Sequence, residues 1–341
     1  MRIAITADPD IPVPPYHYGG IERIIHMLVQ GLVDRSYRVT LFAHRDSQVP
    51  CTLIPYPAPK RRPGLTQVQN MWHVSAHILR GNYDLVHSFG RLAYILPLMP
   101  WPIPKIMSYQ RAITRRSIRW SQLLGRKSLH FSGCSHQLIH TFADSKQWHV
   151  VHNGVPVANY TFRANVGADA PLVFLGRIEA IKGTHLAIEI ARRSNHRLVI
   201  AGNIPADHQD YFDSQVVPHL NSTTITYIGP VNDQQKNELL GNAKALLMPV
   251  LWDEPFGIVM AEALACGTPV IGFRRGAVPE VVEDGINGFV CSTLDEMIEA
   301  VMRIHTIDRY VCRAILVERF SDRAIVNGYQ QLYHALSDKH H

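Results

Sequence analysis

The sequence predicts an α/β protein made of two doubly wound, Rossmann-like domains. Three observations carry that expectation. Short apolar runs with strand character alternate with helical periodicity along the whole chain, the pattern of parallel sheets covered on both faces. At 341 residues the chain is long for one core and comfortable for two. The alternation breaks once, in a turn-rich polar stretch from Asn153-Gly154 to about Asp169, where a linker would lie.

In the first half, Arg2 to Thr6 reads as a strand, Ile21 to Leu32 has helical periodicity, and Val39 to Ala43 is the next strand. Asp84–His87, Lys105–Tyr109, Leu129–Cys134 and His149–Val151 are further strands. The second half restarts with strands at Leu172–Leu175, Arg197–Ala201, Thr224–Tyr227, Ala245–Met248 and Val270–Phe273. Helices are expected between them near 184–193, 208–219, 232–242 and 258–266, and a last one over Asp322–Leu336. Two such domains in tandem imply a ligand cleft at the carboxyl ends of the strands. No internal repeat or low-complexity segment is present.

Composition excludes several classes. With 46% hydrophobic and 18% charged residues, this is the make-up of a soluble globular protein. Met1-Arg2 runs straight into a strand, without a signal-peptide pattern. Leu92 to Met107 is the most apolar stretch, but Pro97, Pro100, Pro102 and Pro104 keep it from being a spanning helix. The cysteines at 51, 134, 266, 291 and 312 are odd in number and lack metal spacing, so reduced thiols and a cytoplasmic location are expected. Asp8-Pro9-Asp10 is a D-x-D string in a Pro-rich loop and is not read as a metal site, nor do the 19 histidines show zinc pairing; no metal is expected.

The net charge of +6 is unevenly placed: residues 1 to 150 carry 18 Lys and Arg against 7 Asp and Glu, and the remainder 16 against 21. Leu85 to Ala143 has no acid but holds Lys105, Arg111, Arg115, Arg116, Arg119, Arg126 and Lys127. Ile118, Trp120, Leu123 and Leu124 interleave with these arginines. The stretch 105–127 therefore reads either as a solvated basic face or as a peripheral contact with an anionic acceptor or anionic inner membrane face. Nucleic acid is not expected, since no recognised binding motif accompanies the charge.

The most informative stretch is residues 254 to 272, EPFGIVMAEALACGTPVIG. Glu254 and Glu262 lie eight positions apart across a helix start shaped by Pro255 and Gly257. A tight loop feeding a helix N-terminus suits an anion, while the carboxylates beside it suit hydroxyl groups attached to that anion. A phosphate bearing a sugar has both. Gly176-Arg177-Ile178, followed by Lys182-Gly183, sits at the carboxyl end of the first strand of domain two, where two cations suit a diphosphate. Gly19-Gly20-Ile21-Glu22 opens the first helix of domain one and permits close backbone approach, but no GxGxxG follows the first strand.

Together these residues resemble the GT-B glycosyltransferases, in particular the large retaining family that includes sucrose synthases and bacterial mannosyl- and glucosyltransferases (family 4-like). The likeness covers the glycines at 19–20, DLVH at 84–87, NGV at 153–155, GRI and KG within 176–183, the 254–272 segment, GAVPEVVEDGINGFV at 276–290, and the terminal YQQLY helix. It implies two Rossmann-like domains facing each other across a cleft: residues 1–155 for the acceptor, residues 156–321 for the nucleotide sugar, and the terminal segment 322–341 crossing back onto the first.

The resemblance also implies roles. Arg177 and Lys182 would bind the donor diphosphate and stabilise its growing charge, with Gly176 beside them. Glu254 would accept hydrogen bonds from the donor sugar, the backbone of Phe256, Gly257 and Ile258 would lie against sugar and phosphates, and Glu262 would hold the ribose. The base would lie near Tyr227, Ile228 and Gly229, and Gly19 and Gly20 would approach the diphosphate or acceptor. The expected reaction is metal- and cofactor-independent transfer of a hexose or pentose, with retention, from a nucleotide-diphospho-sugar (UDP favoured, GDP-mannose the alternative) to a hydroxyl of a small-molecule, glycan or lipid-linked acceptor. Many relatives read H-x-H where this chain has His87-Ser88-Phe89, so Phe89 replaces a histidine expected beside the sugar. Either the donor sugar lacks a hydroxyl there, His87 substitutes, or Phe89 is core packing. A degenerate protein that binds a nucleotide sugar without transfer is the competing class; a two-domain dehydrogenase is rejected by the missing glycine fingerprint.

Overall fold

The computed structural model describes residues 1–16, 19–57, 63–111, 128–142, 145–221 and 223–337. The chain divides into two compact units, Met1–Asn153 with the terminal segment from Asp322, and Gly154–Ser321. Each is built on one parallel sheet.

The sheet of the first unit holds β1 (Arg2–Thr6), β2 (Arg38–Ala43), β3 (Thr52–Pro55), β4 (Leu85–Ser88), β5 (Lys105–Tyr109), β6 (Leu129–Gly133) and β7 (Trp148–Val150), in the order β3-β2-β1-β4-β5-β6-β7. All described pairings are parallel, with Ile3 opposite both Val39 and Leu85. The near-continuous apolar runs of β1 and β2 are buried on both faces, as a covered parallel sheet requires. Helix Gly20–Asp34 and the terminal helix Asp322–Ser337 pack together. The terminal helix brings Tyr329 and Tyr333, both buried, against a polar seam in the sheet. Ser108 Oγ lies 3.1 Å from Tyr329 Oη and 2.5 Å from Ser132 Oγ, so the buried hydroxyls satisfy one another.

The second unit holds β8 (Leu172–Leu175), β9 (Leu198–Ala201), β10 (Ile225–Tyr227), β11 (Ala245–Met248), β12 (Val270–Phe273) and β13 (Gly288–Cys291), ordered β10-β9-β8-β11-β12-β13 and again parallel. Its two chain ends meet: Val155 bridges Ser321, and the Val155 N–H donates to Phe320 O at 2.9 Å.

The structure adds elements that the periodicity did not predict. β3 and β13 are short, peripheral strands, one ending on a proline and the other opening on a glycine. Helix Pro63–Arg80 and helices Leu294–Arg303 and Arg309–Arg319 also form. The helix expected near 208–219 is shorter: it runs Gln209–Gln215, with a 3-10 turn at Val217–His219 around Pro218, which cannot donate to a continuing helix.

Candidate functional site

In the second unit the strand order reverses between β8 and β11, and in open α/β sheets ligands bind beyond the strand ends at such a reversal. The residues that leave β8 are Gly176, Arg177 and, after one 3-10 turn, Lys182; those that leave β11 lead to Trp252 and Glu254. Gly183 has φ +75°, and a Cβ there would stand 2.0 Å from Pro249 O, so only glycine lets the Lys182 loop lie this close to the exit of β11. The Leu251 N–H donating to Ile181 O at 2.8 Å fixes the same approach.

Lys182 Nζ therefore reaches Glu254 Oε2 at 2.5 Å. The same oxygen accepts from Trp252 Nε1 at 3.0 Å, and the Trp252 ring lies 4.9 Å beneath the Lys182 ammonium. Glu254 is buried, so a charge-assisted bond, an indole donor and a cation–π contact fix its carboxylate together. Gly257, at φ +72°, turns the chain into helix Ile258–Ala265 and supplies no side-chain cap. Phe256 is buried edge-on to Phe320 at 5.8 Å, so its side chain anchors the loop.

Glu262 lies in the middle of that helix, buried. Its Oε1 accepts from Lys236 Nζ at 2.5 Å and from Tyr160 Oη at 2.9 Å, and Lys236 also lies 3.2 Å from Asp233. Burial works against the Lys236 charge, but Glu262 and Asp233 outweigh it and raise its pKa. Tyr160 is pushed far upward, first by burial and then by the Glu262 charge, so it is a permanent donor to that carboxylate. Lys236, Tyr160 and Trp252 were not singled out from sequence. Trp252, two residues before Glu254, was within reach of a local reading; the Lys236–Glu262 contact spans 26 positions and was not.

Arg177 is half exposed and pairs at 2.8 Å with the buried Glu179, which aims the guanidinium without covering it. Tyr227 donates its hydroxyl to Gly202 O at 2.8 Å, while Ile228, half exposed, follows it at the end of β10.

In the first unit, Gly19 and Gly20 open helix Gly20–Asp34. A Cβ on Gly20 would meet nothing within 4 Å, whereas one on Gly19 would strike Pro15 and the Glu22 carboxylate, so the close approach at Gly19 is to the protein itself. Glu22 is buried there, and burial raises its pKa. Asp8 and Asp10 each lie 3.9 Å from Arg91.

Of the readings open for His87-Ser88-Phe89, a sugar or acceptor contact or core packing of Phe89, the packing reading is the one their positions favour: both rings lie in the core of the first unit. His87 has no accessible surface: Nδ1 is 2.6 Å from Tyr333 Oη, Nε2 is 2.6 Å from Ser108 Oγ, and burial drives its pKa down to about 3. Phe89 is 6% exposed and packs on His87 and Tyr329, with ring centroids 4.3 and 5.9 Å away. A ring here completes the core under the terminal helix. Lys105 was counted in the basic docking stretch 105–127, but it is fully buried and donates to Trp101 O, Ile103 O and Ser128 Oγ at 2.7 to 2.9 Å. It serves the fold; Arg111 is exposed, and residues 112–127 lie outside the described residues. No described helix is long and apolar enough to cross a membrane.

Comparison with known proteins agrees with this architecture. The family model for Glycosyl transferases group 1 matches residues 163–321, and that for Glycosyltransferase Family 4 matches residues 18–159. Glycogen synthase from Mycobacterium tuberculosis is 32% identical over 153 residues, which are 43% of this chain and 36% of that protein. The chain thus spans well under two thirds of that relative's length. Among solved structures, AviGT4, a glycosyltransferase involved in avilamycin A biosynthesis, superposes with TM-score 0.73 at 23% identity, over 99% of this chain and 98% of that one. Anabaena HepE, in complex with UDP and glucose, superposes with TM-score 0.74 at 18% identity, over 99% and 100% of the two chains. With both halves matched by glycosyltransferase models and both sheets wound as in GT-B proteins, the chain belongs to the family 4-like glycosyltransferases.

Proposed function

We propose that this protein transfers a sugar from a nucleoside-diphospho-sugar, a UDP-sugar in preference to GDP-mannose, to an acceptor hydroxyl with retention of configuration. One observation carries the reading: at the strand reversal of the second unit, two buried carboxylates flank a helix N-terminus, and Lys182 and Arg177 stand at the adjacent strand exit. HepE, solved with UDP and glucose, supports the choice of base.

In this reading Arg177 and Lys182 bind the diphosphate, beside the backbone of Gly176 and of Phe256 to Ile258. Glu254, held by Trp252 and Lys182, takes the hydroxyls of the sugar; Glu262 takes the ribose through the oxygen that Lys236 and Tyr160 leave uncommitted; Tyr227 and Ile228 border the base. As the bond from the anomeric carbon to the diphosphate breaks, negative charge grows on the phosphate oxygens, and two fixed cations lower that barrier. The acceptor oxygen bonds to the anomeric carbon on the face the diphosphate leaves, and its proton goes to the departing phosphate. The cations supply the charge stabilisation that a metal would give, so the mechanism is metal-independent. Acceptors would be small-molecule, glycan or lipid-linked hydroxyls, and nucleotide-sugar supply and cysteines that form no disulfide argue for the cytoplasm.

The test is a thermal-shift series with UDP, GDP, ADP and dTDP, followed by incubation with the sugar conjugates of whichever base binds. A ligand at 100 times its dissociation constant should stabilise by roughly 2.7 kcal/mol. Arg177→Ala and Lys182→Ala should each slow turnover on the order of 10²–10³-fold. If no nucleotide stabilises the protein, the reading fails; if one does without turnover, only a binding role survives.

A further inference from the structure

Helix Pro63–Arg80 of the first unit has two apolar faces. One belongs to the core: Val74 and Ile78 have no accessible surface, and Met71 packs against the same cluster. The other meets solvent: Leu65, Val68, Trp72 and Leu79 are 58%, 48%, 59% and 38% exposed. At 100° per residue these four fall within an arc of about 60°, on the side away from Val74. A surface helix packed by one stripe normally turns polar side chains to water. A second stripe of leucine, valine and tryptophan is a contact surface.

The surrounding charge says what it contacts. From Ser47 to Ala143 the sequence contains one acid, Asp84, and its carboxylate accepts the Arg2 backbone N–H at 2.6 Å. The helix itself has no acid, ends on Arg80, and directly follows Lys60-Arg61-Arg62 in the sequence. Apolar and aromatic side chains on one face, cations at both ends and no anions make up a helix that lies in the headgroup layer of an anionic bilayer. The apolar stripe enters the acyl boundary, tryptophan sits at the interface, and lysine and arginine meet the phosphates. A second copy of this chain would bring like charges together.

We propose that helix Pro63–Arg80 docks this protein on an anionic membrane, with Leu65, Val68, Trp72 and Leu79 in the interface, Arg80 against the headgroups, and the acid-poor, basic sequence around the helix supplying the attraction. The proposal does not depend on sugar transfer, and it uses a different segment of the sequence from the basic run at 111–127.

Co-sedimentation of the full chain with vesicles tests it. The protein should bind phosphatidylcholine vesicles that contain phosphatidylglycerol, not phosphatidylcholine alone, and high salt should weaken binding. Trp72→Glu with Leu65→Glu should lower the vesicle affinity at least about tenfold, and Arg61→Glu with Arg62→Glu on the order of tenfold or more. The variant side chains at 65 and 72 are exposed, so unchanged circular dichroism and melting are expected and separate lost docking from lost folding. Absence of wild-type binding to the anionic vesicles overturns the proposal. So does binding that survives the 65 and 72 changes but disappears on charge reversal at Arg115, Arg116 and Arg119. A wild-type dimer in light scattering that Trp72→Glu splits would assign the stripe to a second copy instead.

Discussion

Replacing Lys236 by methionine tests whether Glu262 is held by the partners seen here. The two side chains are 14% and 9% exposed and 2.5 Å apart, close to the buried limit. Removing one member of a buried pair typically costs about 3–5 kcal/mol, because the other charge is left without compensation. Glu262 keeps the Tyr160 hydroxyl at 2.9 Å, and a hydrogen bond to a charged group retains about 1.5–3 kcal/mol. The expected loss is therefore about 2 kcal/mol, or roughly 4–8 °C in melting temperature for a unit of this size. Adding Glu262→Gln should restore most of it, since the double variant buries no unpaired charge. Urea unfolding of the wild type, both single variants and the double variant closes the cycle. A Lys236→Met protein within about 0.5 kcal/mol of wild type, or a double variant that loses the sum of the singles, would refute the reasoning.

Other sites give further expectations. Gly257→Ala forces an L side chain to φ +72°, with its Cβ 2.9 Å from Met260 Cε and 3.2 Å from Glu254 Cγ; about 1–2 kcal/mol of stability should go, and turnover should fall further because Glu254 is displaced. Thermal melts and initial rates on one preparation check both. Lys105→Met removes a donor from two part-buried carbonyls and a buried hydroxyl, so urea unfolding at neutral pH should show a loss of about 1–3 kcal/mol. Burial lowers the His87 pKa from 6.5 to about 3, so between those values the unfolded chain binds a proton that the folded chain refuses. Stability should thus fall as pH drops from 6.5 toward 3, by at most about 1.4 kcal/mol per pH unit, and His87→Gln should show a shallower loss in denaturation curves across that range.

Legibility in the sequence tracked the range of the interaction. Residues 254–272 could be read because a turn glycine, a run of helix formers and two carboxylates act within one helix and its entry. The Lys182–Glu254 pair crosses 72 positions, yet both ends were legible, since each follows a strand that reads clearly by itself. Lys236 gave no such sign. Its local partner is Asp233, three residues earlier, and that pair looks like ordinary helix-surface chemistry until Glu262 is brought against it. Phe89 was ambiguous for the opposite reason: whether it faces a ligand or packs in the core depends on tyrosines more than two hundred residues away. Helix Pro63–Arg80 escaped notice because apolar residues on two faces blur the single-stripe periodicity by which helices are recognised.

The bridge between Val155 and Ser321 makes the second unit an insertion with tied ends, and this sets an order of assembly. Every residue of that unit is synthesised before Tyr329 and Tyr333 are, and those tyrosines cover His87, Ser108 and Ser132. The N-terminal unit therefore cannot complete its core before the rest of the chain is made, unlike an N-terminal domain that folds first during synthesis. The polar seam of the first unit stays uncovered until the last turns of helix in the chain are made.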